Sequence, residues 1–279
     1  MSKLLVLQSD FGIVDGAVSA MTGVALSVDD QLRIFDLSHS VTPFNIFEAS
    51  YRLFQSILYW PSNTIFVSVV DPGVGSDRSS VVVLTSSGHI VITPNNGTLS
   101  HIKKYVGIEA VYTIDVSKNR RKGATNQSYT FDGRDLYAYI GARLAASQLD
   151  LKDVGPTSSL KEIIELEIPG SNFENNRVSG AIEIFDERYG SIWSSILVED
   201  FEKLNVAYGQ EVGVRISHGD KLILDQKIVY GRSFNAVKVQ ELIVYVSSLN
   251  RMAIALNQGN LKDKYQLNSG IEWIVEISK

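Results

Sequence analysis

The sequence predicts an α/β N-terminal three-layer domain with a largely parallel sheet, followed by a small all-β C-terminal barrel or sandwich, divided as residues 1–168 and 169–279. Three observations carry this. The first half alternates apolar runs with helical patterns, the signature of parallel strands covered by helices on both faces. Breaks at Gly155-Pro156-Thr157-Ser158-Ser159 and Pro169-Gly170-Ser171-Asn172 then interrupt the helical rhythm. Beyond Arg177 the chain turns to short, closely spaced β-like runs.

The apolar run at 3–7 reads as a buried first strand, and 16–28 as a helix. A strand is expected at 32–37, then a helix at 46–59 with Ile46, Leu53, Ile57 and Leu58 on its apolar side. The run at 64–70 reads as a buried strand, and 80–85 with 89–93 as a β pair turning at Ser86-Ser87-Gly88. A strand at 111–116 and an Ala- and Leu-rich helix at 135–147 complete the first domain. In the second, strands are expected at 178–185, 191–197, 211–217, 221–227, 242–246, 254–256 and 273–277. No internal repeat is visible.

The chain has 279 residues, which fits one large domain or two smaller ones, and with 44% hydrophobic and 20% charged residues it has the balance of an ordinary globular protein. Its formal net charge of -5, with no basic run, argues against nucleic acid or an anionic membrane as partner and suits a cationic ligand. With no cysteine, disulfides and thiolate metal sites are excluded. The apolar start meets Gln8, Ser9 and Asp10 at once, too soon for a signal-peptide core or a membrane span, and predicts a cytoplasmic protein.

In open α/β sheets, ligands gather at the carboxyl ends of the strands. Four polar, glycine-bearing turns fall at or near such ends. They are Ser9-Asp10-Phe11-Gly12 with Asp15 behind it, Asp71-Pro72-Gly73-Val74-Gly75-Ser76-Asp77-Arg78, Pro94-Asn95-Asn96-Gly97, and Phe131-Asp132-Gly133-Arg134-Asp135. Each has a plainer reading. Asp10, Asp15 and Asp135 serve equally well as helix caps, and the glycine turns as simple turns. Asp10-Phe11-Gly12 lacks the other parts of a kinase site, and Gly73–Gly75 lacks the Lys-Ser/Thr of a phosphate loop. His39, His89, His101 and His218 are scattered without metal-ligand spacing and read as structural, with His39 near the rim. No Gly-x-Ser-x-Gly elbow supports serine hydrolase chemistry.

Taken together, these turns resemble the S-adenosylmethionine (SAM) hydroxide adenosyltransferase family, relatives of the fluorinase and chlorinase. The resemblance covers nearly the whole chain. It rests on Ser9-Asp10-Phe11-Gly12, Ser40-Val41-Thr42-Pro43-Phe44, Val70-Asp71-Pro72-Gly73-Val74-Gly75, Pro94-Asn95-Asn96-Gly97 and Thr130-Phe131-Asp132-Gly133-Arg134-Asp135. It continues through Phe185-Asp186, Tyr189-Gly190, Ser248 and Ile254-Ala255-Leu256-Asn257.

The resemblance implies a homotrimer, with SAM between the first domain of one subunit and the second domain of its neighbour. It implies SAM as substrate, with no metal or redox cofactor, and adenosine and methionine as products. By match of motif, Asp10 takes the ribose hydroxyls, whose vicinal pair suits a carboxylate. Asp15 and Asp186 hold the methionine ammonium, with Ser248 assisting. Phe44 lies near the sugar, Tyr189 and Phe234 flank the adenine, and the backbone around Asn257 reads its edge; core packing is the plainer fate of these aromatics. Asn95 belongs to one of the matching turns.

The family's hydrolases carry an Asp-Arg-His set around the attacking water, matched by Asp71 and Arg78, with Asp132 where histidine is usual. A carboxylate is a weaker base than imidazole near neutrality, unless a neighbour raises its pKa. Ser191 is a second departure, standing where relatives often have asparagine. The halogenases lack the Asp–Arg pair, and Asp71 and Asp132 would repel a halide. The expectation is therefore water attack at the 5′-carbon of SAM, with Arg78 stabilising hydroxide character. The alternatives are a SAM- or adenosine-binding protein with weak or lost catalysis, and a halogenase-like transferase.

Overall fold

A computed structural model describes residues 4–123 and 130–279, which form two compact units, Met1–Glu167 and Ile168–Lys279. Position 3, the start of the expected first strand, lies outside the described residues.

Unit one is built on β1 (Leu4–Ser9), α1 (Ala17–Val28), β2 (Arg33–Ser38), α2 (Ile46–Ile57), β3 (Ile65–Val69), β4 (Ser80–Thr85) and β5 (Ile90–Pro94). It continues with α3 (Ser100–Tyr105), β6 (Ile108–Thr113), α4 (Val116–Asn119), a π-helical turn at Gly133–Ala138 running into α5 (Tyr139–Ala145), α6 (Leu151–Val154) and β7 (Thr157–Ser158). The strand order is β2-β1-β3-β5-β4-β6-β7. The first four are mutually parallel, whereas β4, β6 and β7 pair antiparallel.

The period-2 geometry of β1 sends Leu5 and Leu7 to one face and Val6 to the other. The first face packs with Met21 and Ala25 of α1 and with Leu136–Ala145, the second with Leu53 and Ile57 of α2 and Leu99 and Ile102. Both faces are therefore covered, giving the expected three layers. The strand expected at 111–116 starts earlier, at Ile108. Pairing of Val83 with Val111 and of Thr85 with Ile108 draws the chain into β6, and Val116 opens α4 instead.

Unit two comprises β8 (Asn172–Glu174), β9 (Arg177–Asp186), β10 (Ser191–Leu197), α7 (Val198–Glu202), β11 (Glu211–His218), β12 (Lys221–Tyr230), β13 (Leu242–Val246), β14 (Arg251–Leu256), α8 (Leu261–Tyr265) and β15 (Gly270–Ser278). The order β10-β14-β13-β12-β11-β15-β9 returns to β10 through a β9–β10 pairing, so seven strands close a barrel and β8 extends from β9. Of the two expected architectures the barrel is the one formed. Its interior is filled by Val178, Ile182, Ile192, Val214, Val244 and Ile254 with their neighbours. Closure leaves these strands no open edge.

Candidate active site

The site of unit one lies where β1, β2 and β3 end. A cleft of about 250 Å³ is lined by Asp10, Phe44, Asp71, Val74, Phe131 and Asp132, among others. Asp10 follows β1, and its Oδ2 accepts from the Phe44 amide at 2.9 Å. Phe44 holds a left-handed backbone, φ 67°, which is strained for a bulky residue, and the residue is 71% exposed. Its turn is fixed from the helix side: Asn45 caps α2 by accepting from Glu48 N at 3.0 Å, and Glu48 Oε2 accepts from Thr42 N at 3.0 Å.

Asp71 follows β3 and is gripped by Arg78, which donates through Nε to Oδ1 at 2.7 Å and through Nη2 to Oδ2. Arg78 Nη1 donates to Tyr137 Oη at 3.0 Å, Ser80 Oγ at 3.2 Å and the Ser79 carbonyl at 3.3 Å. Burial opposes the Arg78 charge, but Tyr137 and Asp71 outweigh it and hold the guanidinium above its ordinary pKa. Burial also pushes the Tyr137 hydroxyl up to about 12. Nε and Nη2 of Arg78 thus hold both oxygens of Asp71, while Nη1 ties the pair to Tyr137, Ser80 and Ser79.

Asp132 lines the same cleft, next to the π-helical turn, and pairs with Arg120 through Nη1 to Oδ1. Each carboxylate thus has its own arginine; the two do not share Arg78. Arg120 is a site residue that sequence reasoning missed; the only hint was its place in the Arg120-Arg121 doublet. Its segment is pinned nearby: Arg121 N donates to the Asp135 carbonyl at 2.9 Å, and Arg134 forks onto Asp135 at 2.9 and 2.6 Å. Burial alone would raise the Asp135 pKa, but Arg134, Arg120 and Arg121 hold the carboxyl below the usual range. Gly133 lets the Phe11 ring pack against the start of the π-helical turn, since a Cβ there would fall 2.9 Å from that ring.

Two expected members stand apart. Asp15 is exposed and accepts from Ala17 N at 2.9 Å, a bond of the turn that leads into α1, whose N-cap is Gly16. Asn95 is buried outside the cleft. Its Nδ2 donates to Ser79 Oγ at 3.2 Å and the Glu162 carbonyl at 2.9 Å, and its Oδ1 accepts from Ile164 N at 2.9 Å. It staples the segment around residues 162–164 to the sheet.

Unit two carries a larger pocket, about 750 Å³, lined by Asp186, Tyr189, Ser191, Phe234, Tyr245 and Asn257, among others. The β9–β10 turn supplies the first three. Asp186 accepts from Arg188 N at 3.2 Å, and Gly190 at φ 62° closes the turn where a Cβ would lie 1.9 Å from Asn260 Oδ1. Tyr189 is 66% exposed, and the Phe234 ring lies 5.1 Å from that of Tyr245. Tyr245, also missed from sequence, has its hydroxyl pKa raised by burial, with Trp193 and Ser191 beside it opposing the shift. Asn257 Nδ2 donates to the Phe234 and Val237 carbonyls at 3.1 and 3.0 Å, which fixes the turn bearing Phe234. The Asn257 N–H already donates to Glu241 O at 2.9 Å, so residue 257's own amide is not available to read a base edge. Ser248 lies exposed in the β13–β14 turn and is not among the lining residues.

A parallel-stranded α/β layer with acidic groups at its strand ends, followed in the chain by a closed barrel with an aromatic pocket, is the make-up of a two-domain enzyme for a small polar substrate. The chain belongs to the SAM hydroxide adenosyltransferase family: the family's N-terminal domain matches residues 5–155 and its C-terminal domain residues 180–274. It is 37% identical over 145 residues to an (R)-S-adenosyl-L-methionine hydrolase of Methanocaldococcus jannaschii, covering 50% of this chain and 52% of that protein. It is 28% identical to the (R)-S-adenosyl-L-methionine hydrolase of Salinispora arenicola, over 94% and 93% of the two chains. A fluorinase of an Actinoplanes species is 24% identical, over 97% and 96%. The crystal structure of an uncharacterized conserved protein from Thermotoga maritima superposes with a TM-score of 0.88 at 29% identity, covering 99% of this chain and 100% of that one.

Proposed function

We propose that the chain hydrolyses SAM to adenosine and L-methionine. A water oxygen bonds to the 5′-carbon, the carbon–sulfur pair departs with sulfur, and the water's second proton leaves to solvent. The leaving group is a neutral thioether, so no general acid is required. The observation that carries the reading is the pair of carboxylates Asp71 and Asp132, each backed by its own arginine, opening onto one cleft with Asp10.

Such a cleft offers hydrogen-bond acceptors. Water can donate to Asp71 and Asp132 and be aimed at the carbon, which is worth roughly 7–11 kcal/mol in favourable geometries. A halide has no proton to donate and meets oxygen lone pairs, which favours hydrolysis over halogenation. Asp10 takes the ribose hydroxyls under Phe44. Asp186 holds the methionine ammonium, while Tyr189, Phe234 and Tyr245 offer flat area to adenine. Asp15 and Ser248 join the ammonium site only if their exposed turns close on it.

A homotrimer belongs to the same proposal, with a neighbouring subunit's barrel completing the nucleoside site. The cleft of about 250 Å³ is smaller than a usual ligand pocket of about 300–1,000 Å³, and Phe44, Tyr189 and Phe234 are large apolar side chains left exposed. Among the described residues no helix is long and apolar enough to cross a membrane.

Incubating the protein with SAM and separating the products tests the reading. Adenosine and methionine in equal amounts are expected, and 5′-halo-5′-deoxyadenosine is not expected in chloride or fluoride. SAM bound and unchanged would establish the alternative of a binding protein without catalysis.

A further inference from the structure

A second polar chain lies behind the cleft. His39 Nε2 is 3.1 Å from Asp36 Oδ1, and His39 Nδ1 is 2.7 Å from Ser9 Oγ. Ser9 Oγ in turn accepts from Phe11 N at 3.2 Å, and the His39 carbonyl accepts from Gly12 N at 2.7 Å. These are the partners of a serine–histidine–aspartate set, yet Ser9 is 0% exposed, so no acyl group can reach its hydroxyl.

The donors and acceptors run in one direction. Nε2 faces a carboxylate and carries the proton; Nδ1 then accepts from the Ser9 hydroxyl, whose lone pair receives the Phe11 amide. Asp36 and His39 come from the end of β2, while Ser9 ends β1, so the chain of bonds ties two neighbouring parallel strands at their carboxyl ends. What it encloses is the turn that presents Asp10. Ser9 lies before it, the Phe11 and Gly12 amides are held after it, and the Phe44 amide meets its Oδ2 from the chain that continues from His39.

We infer that Asp36, His39 and Ser9 are positioning residues that set the Asp10 carboxylate against the ribose hydroxyls. The inference rests on the ribose role proposed for Asp10 and adds the means by which that carboxylate is aimed. His39 acts twice, through its ring on Ser9 and through its carbonyl on Gly12. Asp36, with its side chain 58% exposed, selects the tautomer from the rim.

The test is calorimetric binding of adenosine and 2′-deoxyadenosine to the full chain and to variants, with thermal melts as a check of folding. Wild type should prefer adenosine by roughly tenfold to a hundredfold, the size of a hydrogen bond to a charged group. His39→Leu should bring the two nucleosides within about threefold. His39→Asn, whose Oδ1 can replace Nδ1 as acceptor from Ser9, should keep most of the preference. In turnover, His39→Leu should raise KM for SAM by about tenfold and change kcat less, as expected when ground-state binding is lost. Should the Leu variant fail to fold, Asp36→Ala at the surface serves, with a loss of preference of about two- to fivefold. A folded His39→Leu or Asp36→Ala protein with wild-type preference overturns the inference. Equal binding of both nucleosides by wild type would instead remove the ribose role of Asp10, and the purpose of the relay with it.

Discussion

The two clefts are built on different plans. In unit one three carboxylates share the lining with the rings of Phe11, Phe44 and Phe131, each carboxylate is fixed by an arginine or a backbone amide, and the arginine side chain of the Asp71–Arg78 pair is only 13% exposed. In unit two one carboxylate, Asp186, stands beside Tyr189, Phe234 and Tyr245, and hydrogen bonds fix the turn that carries Phe234. Fixed charge aimed at one point gives directional stabilisation, which a transition state can use. Flat apolar area gives affinity with little demand on angle. Under the proposed function, the contrast places the groups that act on the reacting atoms in the first cleft, beside the ribose-binding Asp10, and the adenine-binding surface in the second.

The largest effect should come from Asp71→Asn, which keeps shape but removes the charged acceptor and unbalances Arg78. Adenosine formation should fall by roughly 10³-fold, the upper range for loss of one fixed electrostatic group. Calorimetry should find adenosine binding changed by less than about threefold. A parallel loss of binding would break the division between clefts.

Next in size is a stability effect beneath the same wall. Asp135→Asn leaves the charges of Arg134 and Arg121 without their carboxylate and should cost about 3 kcal/mol in denaturant unfolding at neutral pH. The folded Asp135 carboxyl lies below its ordinary value of 3.8. Its contribution is therefore fully present above that value and lost as pH falls through the lower, folded-state value. The gap between wild type and variant should be constant near neutrality and narrow only in acid below about pH 4. A constant gap at all pH would place the loss in packing instead of charge.

The legibility of the molecule follows the same contrast. Elements whose cause is local were readable: β4 and β13 have the expected bounds because their apolar runs begin and end in turn residues. The short α3, with no two full turns of periodicity, was not, and β6 was displaced because its start is set by a partner strand. At the site, Asp10, Asp71 and Asp132 could be singled out as polar residues at glycine turns. What stands behind them could not. Arg120 finds Asp132 across twelve residues, Arg78 finds Tyr137 across 59, and His39 finds Ser9 across 30, separations that the fold sets. Asp15 bonds within its own turn, whereas Asn95 reaches Glu162 and Ile164 across 67 and 69 residues, contacts that a reading of its turn alone does not supply.

A smaller effect sharpens the first cleft. Asp132→His places imidazole, the residue that the family resemblance implies for this position, beside Arg120. Two cationic or donor groups would then face each other where a carboxylate sat, and turnover should fall by about tenfold. Adding Arg120→Met should recover part of the loss, a coupling read from the double-mutant cycle in adenosine formation. A gain from Asp132→His alone would mean that the Asp132–Arg120 pair slows the reaction.

The smallest effect belongs to the second cleft. Phe234→Ala removes one face of the aromatic pocket, and stacking of a base on such a ring is worth about 1–3 kcal/mol. KM for SAM should rise by roughly tenfold with kcat within about twofold, because the ring touches the base equally in ground and transition states. Asn257→Ala should reproduce a weaker version of this change, since Asn257 acts by holding the carbonyls of the Phe234 turn and Phe234 itself remains. If kcat instead falls with KM unchanged, the barrel's aromatic wall takes part in aligning the reacting atoms, and rate and affinity are not divided between the clefts as the two plans suggest.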